Sequence, residues 1–219
     1  MAVDTPATIA VIGAGPIGLE AALYARFLGY DVRVYERARV VERLRAAAAG
    51  EPALSWHSYT SPLGVAALAA QNPAWAPPTA DAMLSPAELT EAYFLPLAAS
   101  DLLVDHLLLG LEVLSLERDA TGDSEPLAED EILGFRLRVR VSDAERVDTA
   151  DVVIDASGAA ARSFGLAPAE PDFYVLGAKC AAEPNAFRYV DGLVQIRDLF
   201  KIVADRTALD LYASMRGNV

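Results

Sequence analysis

Cysteine is almost missing from this chain. Its 219 residues hold one, Cys180, which excludes an internal disulfide and any Cys-x-x-Cys redox pair. Histidine occurs twice, at His57 and His106, too few beside a single thiol for a structural zinc site. The only lysines are Lys179 and Lys201. Neither sits in a Walker A pattern, and neither has a tyrosine four residues before it, so the Tyr-x-x-x-Lys pair of short-chain dehydrogenases is absent. Basic residues number 18 against 31 acidic ones, a net charge of −13. Such a balance is repelled by nucleic acid and by anionic membranes, and neither is expected as a partner. Long apolar runs are lacking too. The best stretch, Leu102 to Leu111, is interrupted by Asp105 and His106 and is far short of the roughly 20 residues of a membrane span. Met1 to Asp4 carries no basic region before an apolar run, so no signal peptide is expected. There is no internal repeat. These absences point to a soluble, cytoplasmic protein.

Apolar residues are plentiful, at 53% against 22% charged, enough for a real core. The length suits one domain, taken as 1–219. Ala7 to Ile12 is a short, wholly apolar run of the kind found in strands buried on both faces. Gly13-Ala14-Gly15-Pro16-Ile17-Gly18 follows at once, and Leu19 to Leu28 then reads as a helix stopped by Gly29. Asp31 to Glu36 reads as a second strand ending on an acid. The whole is a βαβ unit.

Each residue type in that turn has a physical reason. Gly13 permits the tight exit from the strand, Gly15 lets a pyrophosphate approach the backbone, and Gly18 allows close helix packing. The helix N-terminus offers free N–H groups and the positive end of its dipole to phosphates. Glu36, 18 residues beyond Gly18, is positioned to accept from the ribose hydroxyls of an adenosine and disfavours a 2′-phosphate. This fingerprint leaves FAD and NAD both open.

Further on, Leu111 to Glu117, Ile132 to Val141 and Val152 to Ile154 read as strands. The acidic loop Asp119–Glu131 separates the first two, and the polar turn Ser142–Thr149 the second and third. The small-residue turn Asp155-Ala156-Ser157-Gly158 then stands at a strand's carboxyl end, where open α/β sheets bind ligands. Phe173 to Leu176 is a last strand running into Gly177-Ala178, and Asp191-Gly192 opens a helix to about Val203. The expected architecture is α/β: a three-layer Rossmann-like FAD/NAD(P)-binding fold, a parallel sheet crossed by a β-meander, with a mostly helical insertion at 37–110.

Taken together, Gly13–Gly18 with Glu36, the meander, Val-Ile-Asp-Ala-Ser-Gly and the late strand–Gly–helix resemble the FAD-binding domain of two-dinucleotide-binding flavoproteins. That group includes pyridine-nucleotide-disulfide oxidoreductase-like and flavin monooxygenase-like enzymes. Trp56-His57 through Gly64, and Tyr174 to Lys179, look most like a bacterial branch of FAD-dependent oxidoreductases. The resemblance implies that Gly13, Ala14, Gly15, Pro16, Ile17 and Gly18 hold the pyrophosphate. It gives Glu36, with Arg37 alongside, to the adenosine ribose, and the backbone of Val113 to the adenine. Ala156, Ser157 and Gly158 would line the cofactor turn, and Gly177 would approach the ribityl–phosphate region. The implied activity is redox chemistry by non-covalent FAD on a small-molecule substrate or a redox partner protein. The alternatives are a non-catalytic FAD-binding scaffold and an NAD-dependent dehydrogenase.

Two departures stand out. Where the family has Gly-Asp, this chain has Gly177-Ala178, without the carboxylate that binds ribitol. Only residues 159–171 join Gly158 to the last strand, too few for a second nucleotide domain at that point.

Other features have plainer readings. His57, in an aromatic and polar stretch of the insertion, is either a proton donor to the cofactor or an ordinary loop histidine. His106, between leucines, reads as a helix residue, and Cys180 as a small buried hydrophobe. Ser85-Pro86-Ala87-Glu88 is a capping box that starts a helix. Arg43–Ala49 reads as a surface helix, Asn72 to Pro78 as a Pro-rich loop, and Asp123 to Glu131 as a solvated acidic loop.

Overall fold

The fold is taken from a computed structural model, which describes residues 3, 5–46, 51–118, 134–158, 164–166 and 170–215. Strand β1 (Thr8–Ile12) leads through the glycine turn into α1 (Pro16–Phe27), and β2 (Asp31–Glu36) follows. Helix α1 begins three residues earlier than the sequence pattern suggests, with Gly15 as N-cap and Pro16 in the first turn. Then come α2 (Glu42–Arg45), β3 (Leu54–Ser55), α3 (Trp56–Tyr59), α4 (Pro62–Gln71), β4 (Met83–Leu84) and α5 (Pro86–Leu89). The capping box at Ser85 is formed, Ser85 Oγ accepting from the Glu88 N–H. Helix α5 widens into a π turn, Thr90–Phe94, before α6 (Leu95–Ala98). Pro96 accounts for the widening, because it lacks an N–H and its ring would strike a carbonyl one α-helical turn earlier.

The stretch read as a helix around His106 is not one. Val104–His106 is a single 3₁₀ turn, and Leu107–Leu109 is strand β5, paired parallel with β2. A three-residue apolar run is equally compatible with helix and strand, and the open edge of β2 decided it. The meander is β6 (Leu111–Arg118), β7 (Phe135–Val141) and β8 (Ala144–Ala150). Most of the segment read as a polar turn at 142–149 is therefore strand. As the outer strand of the meander, β8 exposes nearly every side chain and shows no apolar alternation. The acidic loop at 123–131 lies outside the described residues, as does the end of the Arg43–Ala49 reading.

β9 (Val152–Asp155) and β10 (Phe173–Val175) return to the main sheet. A 3₁₀ turn, Gly177–Cys180, and another, Pro184–Ala186, precede α7 (Tyr189–Val203) and α8 (Leu211–Met215). Helix α7 starts at Tyr189 rather than at Asp191, whose carboxylate accepts from the Arg188 N–H and caps the first turn.

The main sheet is parallel throughout, in the order β10-β9-β1-β2-β5. Alternation along its strands feeds two cores. Ile9, Val11, Val32, Val34, Val152 and Ile154 face α1 and α7, packing on Leu19, Leu23, Ile196 and Phe200. Ala10, Ile12, Tyr35 and Val153 face the meander and meet Val113, Phe135, Leu137 and Val139. Helices, parallel sheet and meander make three layers, the α/β Rossmann-like arrangement. No helix among the described residues is long and apolar enough to cross a membrane.

Candidate functional site

The order in which strands are added reverses at β1, although its two neighbours both run parallel to it. β1 leads over α1 to β2 on one side, while β9 lies on the other. Such a switch point opens a crevice at the carboxyl ends of the strands. Here the crevice is a cavity of about 350 Å³, within the usual range for ligand clefts.

Its floor is the turn after β1. Gly13 has φ of +101°, and a Cβ there would stand 2.9 Å from the Ala156 carbonyl oxygen, so two strand-end turns abut. Gly18 serves the same turn: its Cβ would meet the Gly13 carbonyl oxygen at 1.9 Å. Gly15 differs, since a Cβ on it would meet nothing within 4 Å and would project into open space. It caps the twelve-residue α1, with Pro16 in the first turn. Gly13, Gly15, Pro16 and Ile17 line the cavity. Ala14 and Gly18 do not; Ala14 is buried, and its N–H donates to Glu36 Oε2 at 2.8 Å.

Glu36 is thereby held at the end of β2, its Oε1 accepting from the Ala38 N–H at 2.8 Å. Arg37, Val113, Ala156, Ser157, Gly158 and Gly177 also line the cavity. All but two of the residues assigned to the cofactor from sequence thus line one space.

Residues that pattern reading missed complete the walls. Val41 sits in a left-handed conformation (φ 47°), and its N–H donates to the Ala14 carbonyl, tying α2 to the glycine turn. That tie brings Arg43 across the mouth: a Cβ on Gly158 would lie 4.0 Å from its Nη1. Gln195 on α7 braces Gly177, its Oε1 accepting from the Gly177 N–H at 2.7 Å. Behind the Ser157 turn, the Lys179 ammonium meets Asp155 at 2.7 Å, and Asp155 also accepts from the Ser157 N–H and hydroxyl. Asp155 is 1% exposed. Only the run of small residues after β9 hinted at this cluster, and no local signal marked Gln195.

His57 is exposed and not part of the cavity wall. His106 binds the Val32 carbonyl through Nδ1 at 2.8 Å, a bracing contact away from the site. Cys180 is exposed rather than buried, because its 3₁₀ turn lies at the surface. Partial burial of its sulfur pushes the thiol up, away from an activated thiolate. Among the described residues no three His, Cys, Asp or Glu gather as a metal site.

Residues 8–49 match the family described as pyridine nucleotide-disulphide oxidoreductase. No curated protein matches the chain. Solved structures do. OTEMO in complex with FAD and NADP is 22% identical, with a TM-score of 0.50 over 73% of this chain and 27% of that one. FAD-bound OTEMO is 21% identical at the same TM-score and the same coverage. The fold is the Rossmann-like FAD-binding fold of flavoproteins. Bacillithiol disulfide reductase from Bacillus cereus is 15% identical, with a TM-score of 0.49, covering 78% of this chain and 48% of that chain. This chain spans less than a third of the length of OTEMO.

Proposed function

We propose that this protein binds FAD non-covalently in the crevice between β1 and β9 and serves as a flavin-dependent oxidoreductase. The observation that carries the reading is the open space at Gly15, at the N-terminus of α1, with Glu36 fixed at the end of β2. A diphosphate fits that cradle: unpaired N–H groups of the first turn point at it, and the helix dipole favours its charge. Arg43, which lines the same cavity beside Gly158, adds a cation to it. Glu36 already takes two backbone N–H groups, leaving its remaining lone pairs for ribose hydroxyls, and its charge disfavours a 2′-phosphate. The backbone beside Val113 closes the adenine end, and the Ala156–Gly158 turn with Gly177 closes the other.

Flavin, when bound, supplies the electron transfer itself. The chain's own residues orient it and exclude water. Among the described residues the cavity wall has no histidine, cysteine or lysine, and no acid–base residue is assigned. The substrate class that suits this arrangement is a small molecule or a redox partner protein that reaches the flavin. Ala178, standing where a ribitol-binding carboxylate is expected, favours a second reading: an FAD-binding scaffold without turnover of its own.

An absorbance spectrum of the purified protein between about 300 and 550 nm, taken with added FAD and then after anaerobic NADH, tests the proposal. Flavin bands that bleach support an oxidoreductase, and bands that persist support the scaffold. Absence of bound flavin overturns both. Gly15→Val, which fills the cradle with a side chain, is expected to abolish FAD binding while circular dichroism stays unchanged; retained flavin would contradict the diphosphate assignment.

A further inference from the structure

Glu20, on the second turn of α1, is an ionisable group buried outside the cavity. It is fully buried. Its Oε2 accepts from the Tyr189 hydroxyl at 3.0 Å, from the first residue of α7. Its Oε1 has no hydrogen-bond partner among the described residues, nor has the hydroxyl of Tyr212 on α8, which faces the same carboxyl. The Ser61 hydroxyl, which caps α4, is turned toward it as well. Tyr93 in the π turn completes the surround, its hydroxyl 3.4 Å from Ser61 Oγ.

None of these neighbours carries charge at neutral pH. Burial pushes the phenols of Tyr93, Tyr189 and Tyr212 up, and the Glu20 carboxyl pushes them further the same way. No arginine, lysine or histidine pairs with Glu20 among the described residues. A carboxylate here has neither a counter-charge nor enough donors to replace water. A carboxylic acid is better served, because it accepts at Oε2 and donates from Oε1 toward a group such as the Tyr212 hydroxyl. Burial, opposed in part by the Tyr189 hydrogen bond and by the nearby hydroxyls of Ser61 and Tyr212, pushes Glu20 from 4.5 up to about 7.

The neighbours come from four elements: α4, the π turn, α7 and α8. Helix α7 in turn forms part of the cavity's support. Gly192, in its first turn, lies against Ile17, and a Cβ there would stand 2.2 Å from Ile17 Cδ1. One turn on, Gln195 holds Gly177. Glu20 thus joins the helix that starts at the glycine turn to the helix that closes over it.

We propose that Glu20 is a positioning residue whose neutral carboxylic acid latches α7, α8 and the helical insertion onto α1, so that losing its proton loosens the support that α7 gives to the nucleotide cavity. The step breaks one O–H bond, leaves the electron pair on the carboxylate and releases the proton to solvent. Its effect on ligand rests on the FAD reading above; the latch itself does not.

The test follows backbone hydrogen exchange in 189–203 and 211–215 of the whole chain, corrected for the intrinsic pH dependence of exchange. It also follows FAD affinity by fluorescence quenching, both from about pH 5.5 to about 8.5. Wild-type protection is expected to fall as pH rises through about 7, and Glu20→Gln to stay flat. Tyr189→Phe removes a donor that favours the carboxylate, so its transition should move to higher pH. Wild-type FAD affinity should fall in the same window by about tenfold per pH unit, the slope of one linked proton, and Glu20→Gln should not follow. Protection that ignores pH in the wild type, or varies identically in Glu20→Gln, overturns the latch. Protection that changes while FAD affinity does not overturns the coupling to the cavity. If FAD binds at no pH, the cofactor reading falls, and hydrogen exchange still decides the latch.

Discussion

Lys179→Met removes the ammonium that faces Asp155 and keeps most of the side chain's apolar stem. The pair is 2.7 Å apart, with the carboxylate 1% and the lysine side chain 15% exposed, so water screens it little. Breaking a buried pair by deleting one partner leaves an uncompensated charge, typically at a cost of 3–5 kcal/mol. Asp155 retains the Ser157 N–H and hydroxyl, which places the expected loss at the low end, about 3 kcal/mol. For a chain of this size that lowers Tm by about 6–12 °C, since each kcal/mol shifts it by roughly 2–4 °C. The assay is urea unfolding, checked by a thermal scan. Adding Asp155→Asn to Lys179→Met removes the stranded charge and should recover most of the loss, giving a coupling energy of about 2 kcal/mol in the double-mutant cycle. A single-variant loss below about 1 kcal/mol, the range of a surface ion pair, would refute the argument that burial makes this contact strong.

Two further expectations concern the layers around the site. Glu20 is raised in the fold, so its contribution is fully present below about pH 4.5 and is lost as pH rises through about 7. The shift corresponds to about 3 kcal/mol, and Glu20→Gln should therefore gain stability over wild type at about pH 8 but not at about pH 4.5, as read by urea midpoints. Tyr35→Phe removes the hydroxyl that bonds Asp148 at 3.1 Å and joins the parallel sheet to the meander; a loss of about 1.5 kcal/mol is expected, with no change in secondary structure by circular dichroism.

Much of the fold was legible where local and tertiary demands agree. β1 is apolar at every position from Ile9 to Ile12 because it is covered on both faces, and such a run admits few other readings. The glycine turn was legible because its glycines answer short-range backbone contacts, Gly18 against Gly13 above all. Legibility failed at the margins of the sheets. β8 carries Glu145, Arg146, Asp148 and Thr149 on a strand that is largely exposed, so no hydrophobic period marks it. β5 has three leucines and no period at all. In the site, the strand-end residues were readable and the supports were not. Arg43 reaches the cavity through the left-handed turn at Val41, and Gln195 reaches Gly177 from a helix 18 residues away.

By itself, then, the sequence determined the βαβ unit, the glycine turn and the acid at the end of β2, because those depend on steric and hydrogen-bonding rules that act within a few residues. Tertiary structure alone decided that the leucines after His106 extend the sheet, that Lys179 lies on Asp155, and that Glu20 is enclosed by three tyrosines and a serine. Each of these joins segments far apart in the chain, and the energy of such a contact depends on burial, which arises only when the layers close.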